Sequence, residues 1–400
     1  MELTSPENVG FSSDRLQRLN RFLQGYIDDG KLAGIVTLLA RKGAVFHHES
    51  FGKMSNETGV EMNTDSIFRI YSMSKAITSV ALMKLHEEGE FQIDDPVSSF
   101  IPELGDLMVC TGSGQTGPII ERQKNPITIR QLLSHTSGLS YGFHKDTPVD
   151  QMYRDANINS KDSDLATMMK RLGDLPLAYQ PGTDWRYSVA TDVCGRLVEV
   201  LSGQSLDKYL SENVFQPLGM EDTAFYVPKE KLDRFPSVYG PSESGTGPIE
   251  ELHRPYDQPP VRLSGGGGLV GTTADYSNFC QMMVNGGNLN DARILGPKTV
   301  DLMTRSHLPD EVKTFTLSEG RSDYTKGCGF GLGFRIIENV AKNGIAGSTG
   351  SYSWGGAAST YFLIDPVEDM YAIFMTQFLP SGQYPIRAEF QTMVYQALVE

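Results

Sequence analysis

Three serines in this chain stand three residues ahead of a lysine: Ser50 and Lys53 in "SFGK", Ser72 and Lys75 in "SMSK", Ser205 and Lys208 in "SLDK". A hydroxyl and an amine at that spacing can act as nucleophile and base, because three residues along a helix bring the second side chain back over the first. The surroundings must choose among the three. Ser50 is expected to follow a strand and precedes Gly52, which predicts a turn with Lys53 facing water. Ser205 suits a helix N-cap with Asp207 in the first turn, and its polar neighbours predict an exposed start. Ser72 differs. It leaves the segment "SIFRIY" and opens a helix, "KAITSVALMKL", rich in small and apolar residues and closed by Gly89. Burial and the positive helix end both disfavour a charged Lys75 there, which suits a base that takes a proton from serine.

Such a pair needs a further proton carrier and a site for the oxyanion. No nucleophile elbow of the G-x-S-x-G kind is expected to supply an alternative. In "LAYQPGTDWRYSVATDVCGRLVEVLSG", Tyr187 lies between a Pro-Gly turn and a helix. In "GSTGSYSWGGAASTYFLID", Trp354, Gly355 and Gly356 stand at the predicted start of an apolar strand. Glycines there let backbone approach a ligand, and a strand-edge N–H can donate to a developing negative charge.

Taken in order, "SMSK", "LLSHTSGL", "PGTDWRYS", "PLGMEDTAF", "GGGGLVGTTADYSNF" and "WGGAASTYF" resemble the serine β-lactamase-related hydrolases, nearest to the class C-like esterases called family VIII carboxylesterases. The resemblance implies Ser72 as nucleophile, Lys75 as its partner, and Tyr187 as the tyrosine of the Y-x-N motif. It implies an oxyanion hole from the backbone N–H groups of Ser72 and Ala357. Trp354, Gly355 and Gly356 then replace the K-T-G motif and, with Tyr141, contact substrate. The run "SGGGGLVG" lacks the Lys-Ser/Thr of a phosphate loop and is expected to be structural. His135 is expected to be a buried structural histidine, since the family's proton relay uses none.

Two departures bear on substrate. Val189 stands where Y-x-N has asparagine, and Trp354 where K-T-G has lysine. A cation that would meet a β-lactam or peptide carboxylate is therefore missing, a contact worth roughly 1.5–3 kcal/mol, and an apolar wall replaces it. The expected activity is hydrolysis of short-chain carboxylic esters through an acyl-enzyme. The rivals are a β-lactamase or D,D-peptidase, an acyltransferase of the same fold, and a non-catalytic binding module.

The elements that must position these residues are legible at both chain ends. "SSDRLQRLNRFLQGYIDDG" has apolar residues at helical spacing, and "AGIVTLLA" and "AVFHHESFG" read as a β-hairpin. "GFGLGFRII", "STYFLID" and "MYAIFMTQF" are strand-like, and "PIRAEFQTMVYQALVE" reads as a closing helix. The expected fold is α+β and β-lactamase-like: an antiparallel sheet from both chain ends, flanked by the terminal helices, with a mostly helical domain inserted. The predicted division is 1–65 and 265–400 for the α/β part and 66–264 for the insertion.

The formal charge of −14 disfavours nucleic acid as a partner. No secretory signal or membrane span is read in the sequence, and Cys110, Cys194, Cys280 and Cys328 show no paired spacing. A cytoplasmic enzyme with reduced thiols is expected, acting on a small-molecule ester, with no cofactor, no metal and no membrane partner.

Overall fold

The computed structural model describes residues 2–114, 117–143, 147–242, 245–249, 256–312 and 325–400. Helix α1 (Ser13–Asp28) starts where Ser12 accepts from the Arg15 N–H at 3.4 Å, and buries Leu16, Leu19, Leu23 and Tyr26 on one face. Strands β1 (Gly34–Arg41) and β2 (Ala44–Gly52) follow as a hairpin. Its two-residue turn has positive φ at Lys42 (52°) and Gly43 (76°), the twist that suits adjacent antiparallel strands.

Five more strands come from the C-terminal part: β3 (Cys328–Phe330), β4 (Arg335–Ile337), β5 (Tyr352–Gly355), β6 (Tyr361–Asp365) and β7 (Met370–Thr376). They join the hairpin in one seven-stranded antiparallel sheet of order β3-β4-β5-β6-β7-β1-β2. The centre is the pairing of β1 with β7, which places Ile35 opposite Thr376 and Arg41 opposite Met370.

Strand alternation divides two cores between the sheet's faces. Ile35, Leu39, Ala372 and Phe374 face α1 and the last helix, while Val36, Leu38, Ile373 and Met375 face the larger core of the helical region. Both β1 and β7 are buried along their whole length, which is why they read as continuous apolar runs. On the larger-core side lie α2 (Ser74–Glu87), α3 (Ala190–Ser202) and α4 (Thr273–Val284), and α5 (Ile386–Tyr395) closes the chain beside α1.

The structure differs from the sequence reading in three places. "GFGLGFRII" is two short strands, β3 and β4, because Gly331–Phe334 turn the chain and Gly333 has φ 100°. Trp354 and Gly355 end a strand instead of starting one; the apolar strand begins at Tyr361, after a turn. Ser50 lies inside β2, opposite Val36, and does not follow the strand. All four cysteines are buried and outside any disulfide. Among the described residues, no helix is long and apolar enough to cross a membrane, and no cluster of His, Cys, Asp or Glu could hold a metal ion.

Candidate active site

A short strand, Phe68–Arg69, pairs with Val270–Gly271 and delivers the chain to a 3-10 turn over Tyr71–Met73 that runs directly into α2. Tyr71 sits at φ 44°, a left-handed conformation costly for a bulky residue, immediately before Ser72. That bend leaves Ser72 half-buried while Lys75, one residue into α2, is only 1% exposed. Small residues explain how α2 tolerates this depth. Ser74, Ala76, Thr78, Ser79 and Ala81 let it run through the interior, and Thr78 satisfies its hydroxyl by donating to Gly265 O at 2.8 Å.

Ser72 Oγ is the meeting point. Tyr187 donates its hydroxyl to it at 2.6 Å, and Lys75 Nζ donates at 3.3 Å. Lys75 also donates to Tyr141 OH at 2.8 Å and to Gly266 O at 2.6 Å. Lys75 Nζ also lies 4.7 Å from the centre of the Tyr187 ring and 5.2 Å from that of Tyr141. Burial foremost, then the neighbouring Tyr187 and Asp192, pushes the Tyr141 hydroxyl well above its ordinary range, so it remains a neutral phenol.

Tyr187 is held by the segment that precedes α3. Gly182 N–H bonds Thr136 O at 2.8 Å and Arg186 N–H bonds His135 O at 2.9 Å, while the Arg186 guanidinium pairs with buried Asp150. Around the Tyr187 ring stand His135 (5.0 Å), Tyr141 (5.3 Å), Trp354 (5.5 Å) and Trp185 (6.2 Å). Trp354 is 3% exposed and packs edge-on against Phe330, so its indole supports Tyr187 from below more than it presents a free wall.

The turn after β5 lies against the residues before Ser72. A Cβ on Gly356 would stand 2.5 Å from Ile70 O, and one on Gly355 would stand 2.6 Å from Arg387 Cζ, so neither position has room for a side chain. Arg387 donates to Gly356 O, and Ser381 N–H donates to Ala357 O at 2.9 Å, which fixes the orientation of the exposed Ala357 peptide. Val189 is fully buried at the start of α3 and offers no amide to the site.

The remaining candidates fall away from this centre. Ser205 is the exposed N-cap position of its short helix, as expected, and Ser50 is paired within the sheet. A pentapeptide of the G-x-S-x-G pattern does occur, Gly138–Gly142, contrary to the expectation that the chain offers none. Its Ser140 is fully buried, donates to Asp150 Oδ1 at 2.7 Å and accepts from Arg186 Nε at 3.2 Å, which makes it a structural hydroxyl under the Tyr187 segment. His135 is 1% exposed, with Nδ1 3.3 Å from Ser188 Oγ. Burial first, and Lys75 second, holds it well below its ordinary range and therefore neutral.

Sequence reasoning placed Tyr141 beside the cleft but missed its bond to Lys75, and missed Gly266 and Asp192 altogether. Asp192 Oδ1 accepts from Ser264 Oγ at 2.6 Å and from Gly266 N–H at 3.4 Å, which turns the Gly266 carbonyl onto Lys75. A Cβ on Gly266 would stand 2.7 Å from Asp192 Oδ2 and 2.9 Å from Tyr141 OH. Gly266→Ala is accordingly expected to lower kcat on the order of ten- to a hundredfold by displacing Lys75, with the folded state retained. Steady-state kinetics beside a melting curve measures it; an unchanged kcat would show that the carbonyl does not position the amine.

The model of the family described as Beta-lactamase matches residues 19–394. The chain belongs to the beta-lactamase family. Protein Rv1367c of Mycobacterium tuberculosis is 32% identical over 358 residues, covering 88% of each chain. Esterase EstB of Burkholderia gladioli is 27% identical over 418 residues, covering 99% of this chain and all of its own. Among solved structures, EstCE1, described as a hydrolase with promiscuous acyltransferase activity, matches with a TM-score of 0.80 at 27% identity, over 95% of this chain and 98% of that one. As a member of the beta-lactamase family, the protein is an enzyme of the serine-hydrolase type, acting on ester or amide bonds.

Proposed function

We propose that the protein is a serine carboxylesterase of the family VIII kind, hydrolysing short-chain esters through a covalent acyl-enzyme on Ser72. The observation that carries this reading is the convergence of Tyr187 OH and Lys75 Nζ on Ser72 Oγ, at 2.6 and 3.3 Å. As Ser72 Oγ attacks the ester carbonyl, its proton passes into the Tyr187–Lys75 pair. The new C–O bond leaves negative charge on the former carbonyl oxygen, where the backbone N–H groups of Ser72 and Ala357 receive it. Collapse expels the alcohol, which takes the proton from the same pair. Water then attacks the acyl carbon and gives one proton to the pair; the bond to Ser72 Oγ breaks, Oγ takes that proton back, and the acid leaves. Every step uses protein groups and water, with a small-molecule ester as the partner. Four buried thiols outside any disulfide support a reducing, cytoplasmic setting.

Preference for esters over lactams rests on Trp354 and Val189. Neither offers a charge or an amide to a substrate carboxylate or acylamide, and Trp354 is packed too deeply for a cation to replace it without disturbing Tyr187. The wild type is expected to hydrolyse p-nitrophenyl acetate and butyrate with a kcat/KM at least about a hundredfold above that for nitrocefin. Turnover of nitrocefin equal to the best ester would favour the β-lactamase reading. A second reading, acyl transfer to an alcohol, gains support from the likeness to EstCE1, which is described as a hydrolase with promiscuous acyltransferase activity.

A further inference from the structure

Phe143 is a phenyl ring left 66% exposed two residues after Tyr141. A single exposed apolar side chain is ordinary on a protein surface and asks for no explanation by itself. This one is held in a specific place. Its ring stacks on Tyr141 with centroids 4.6 Å apart and planes within 7° of parallel, and Tyr141 in turn bonds Lys75. The backbone leading to it is fixed as well. Asn159 Nδ2 donates to Tyr141 O at 2.9 Å, Arg154 donates to Gly142 O, and Gly142 N–H bonds Ser140 Oγ at 3.3 Å. Gly142 itself sits at φ 80°, where a Cβ would stand 3.2 Å from Asp150 O. The aromatic series around Ser72 therefore continues outward from Tyr187 through Tyr141 to Phe143, and ends with one ring face covered and the rest open to solvent.

We infer that Phe143 is a specificity-determining residue that receives an aromatic or other flat apolar group of the ester at the mouth of the site. The inference rests on the esterase reading above and deepens it. A pre-oriented ring offers stacking to a flat partner at little cost in side-chain freedom, and offers little to a substrate too small to reach it. The flat group belongs to the acyl or the alcohol half of the ester, and the test separates the two.

Wild type, Phe143→Ala and Phe143→Tyr are compared by pH-stat on ethyl acetate, benzyl acetate and ethyl phenylacetate. Phe143→Ala is expected to lower kcat/KM about fivefold to tenfold, mainly through KM, for one aromatic ester. Ethyl acetate should be unchanged, and Phe143→Tyr should restore the loss. A selective loss with benzyl acetate places the platform on the alcohol side; a selective loss with ethyl phenylacetate places it on the acyl side. An equal change on all three esters, or none, overturns the inference while leaving the esterase reading intact. Failure of the wild type to hydrolyse any of the three overturns that reading, and the platform with it.

Discussion

Ser72→Ala is expected to abolish ester hydrolysis, with kcat for p-nitrophenyl butyrate falling by about 10⁴-fold or more, as when a catalytic nucleophile is removed from other serine hydrolases. The structural change is small. Ser72 occupies a 3-10 turn and its Oγ accepts from Tyr187 and Lys75, while Lys75 keeps Tyr141 and Gly266 as partners. The melting temperature should therefore barely move, which separates loss of chemistry from loss of fold. Ser50→Ala and Ser205→Ala serve as controls and should keep wild-type kcat, since one serine lies within β2 and the other on an exposed helix start. Retention of full activity by Ser72→Ala would end the assignment.

Lys75 and Tyr187 are expected to act as one unit. Both reach the same oxygen, and Lys75 Nζ lies 4.7 Å from the Tyr187 ring, so neither is placed to serve Ser72 independently. Lys75→Met, which keeps side-chain volume, and Tyr187→Phe should each lower kcat by about 10³-fold, and the double variant should fall within about tenfold of the worse single one. Losses that multiply in the double variant would mean two independent contributions. Lys75→Met also leaves Gly266 O and Tyr141 OH without their donor, so some loss of stability is expected beside the kinetic one.

Much of this arrangement is legible in the sequence where a side chain's role depends on its own neighbours. The helix of α1, the hairpin of β1 and β2, and the strands β6 and β7 follow from apolar periodicity over a few residues. Preferring Ser72 over Ser50 and Ser205 drew on the apolar and small residues of α2 together with the ordered companion motifs around Tyr187 and Trp354. What stayed hidden depends on backbone close approach between distant segments. Nothing in "SGGGGLVG" announces that the Gly266 carbonyl bonds Lys75, a residue 191 positions earlier. Trp354 reads as a wall from its residue type, yet the turn of "WGG" buries it against Phe330 and Tyr187. The G-x-S-x-G pentapeptide at Ser140 went unread in the sequence, and its hydroxyl is taken up in the scaffold by Asp150 and Arg186.

The central claim is that Ser72 Oγ forms the covalent acyl-enzyme. Labelling the wild-type protein with a fluorophosphonate, digesting it and mapping the modified peptide by mass spectrometry tests that claim most directly. The expected result is a single adduct on Ser72, absent from Ser72→Ala and strongly slowed in Tyr187→Phe. An adduct on Ser50, Ser140 or Ser205 in place of Ser72, or undiminished labelling of Ser72→Ala, would contradict it.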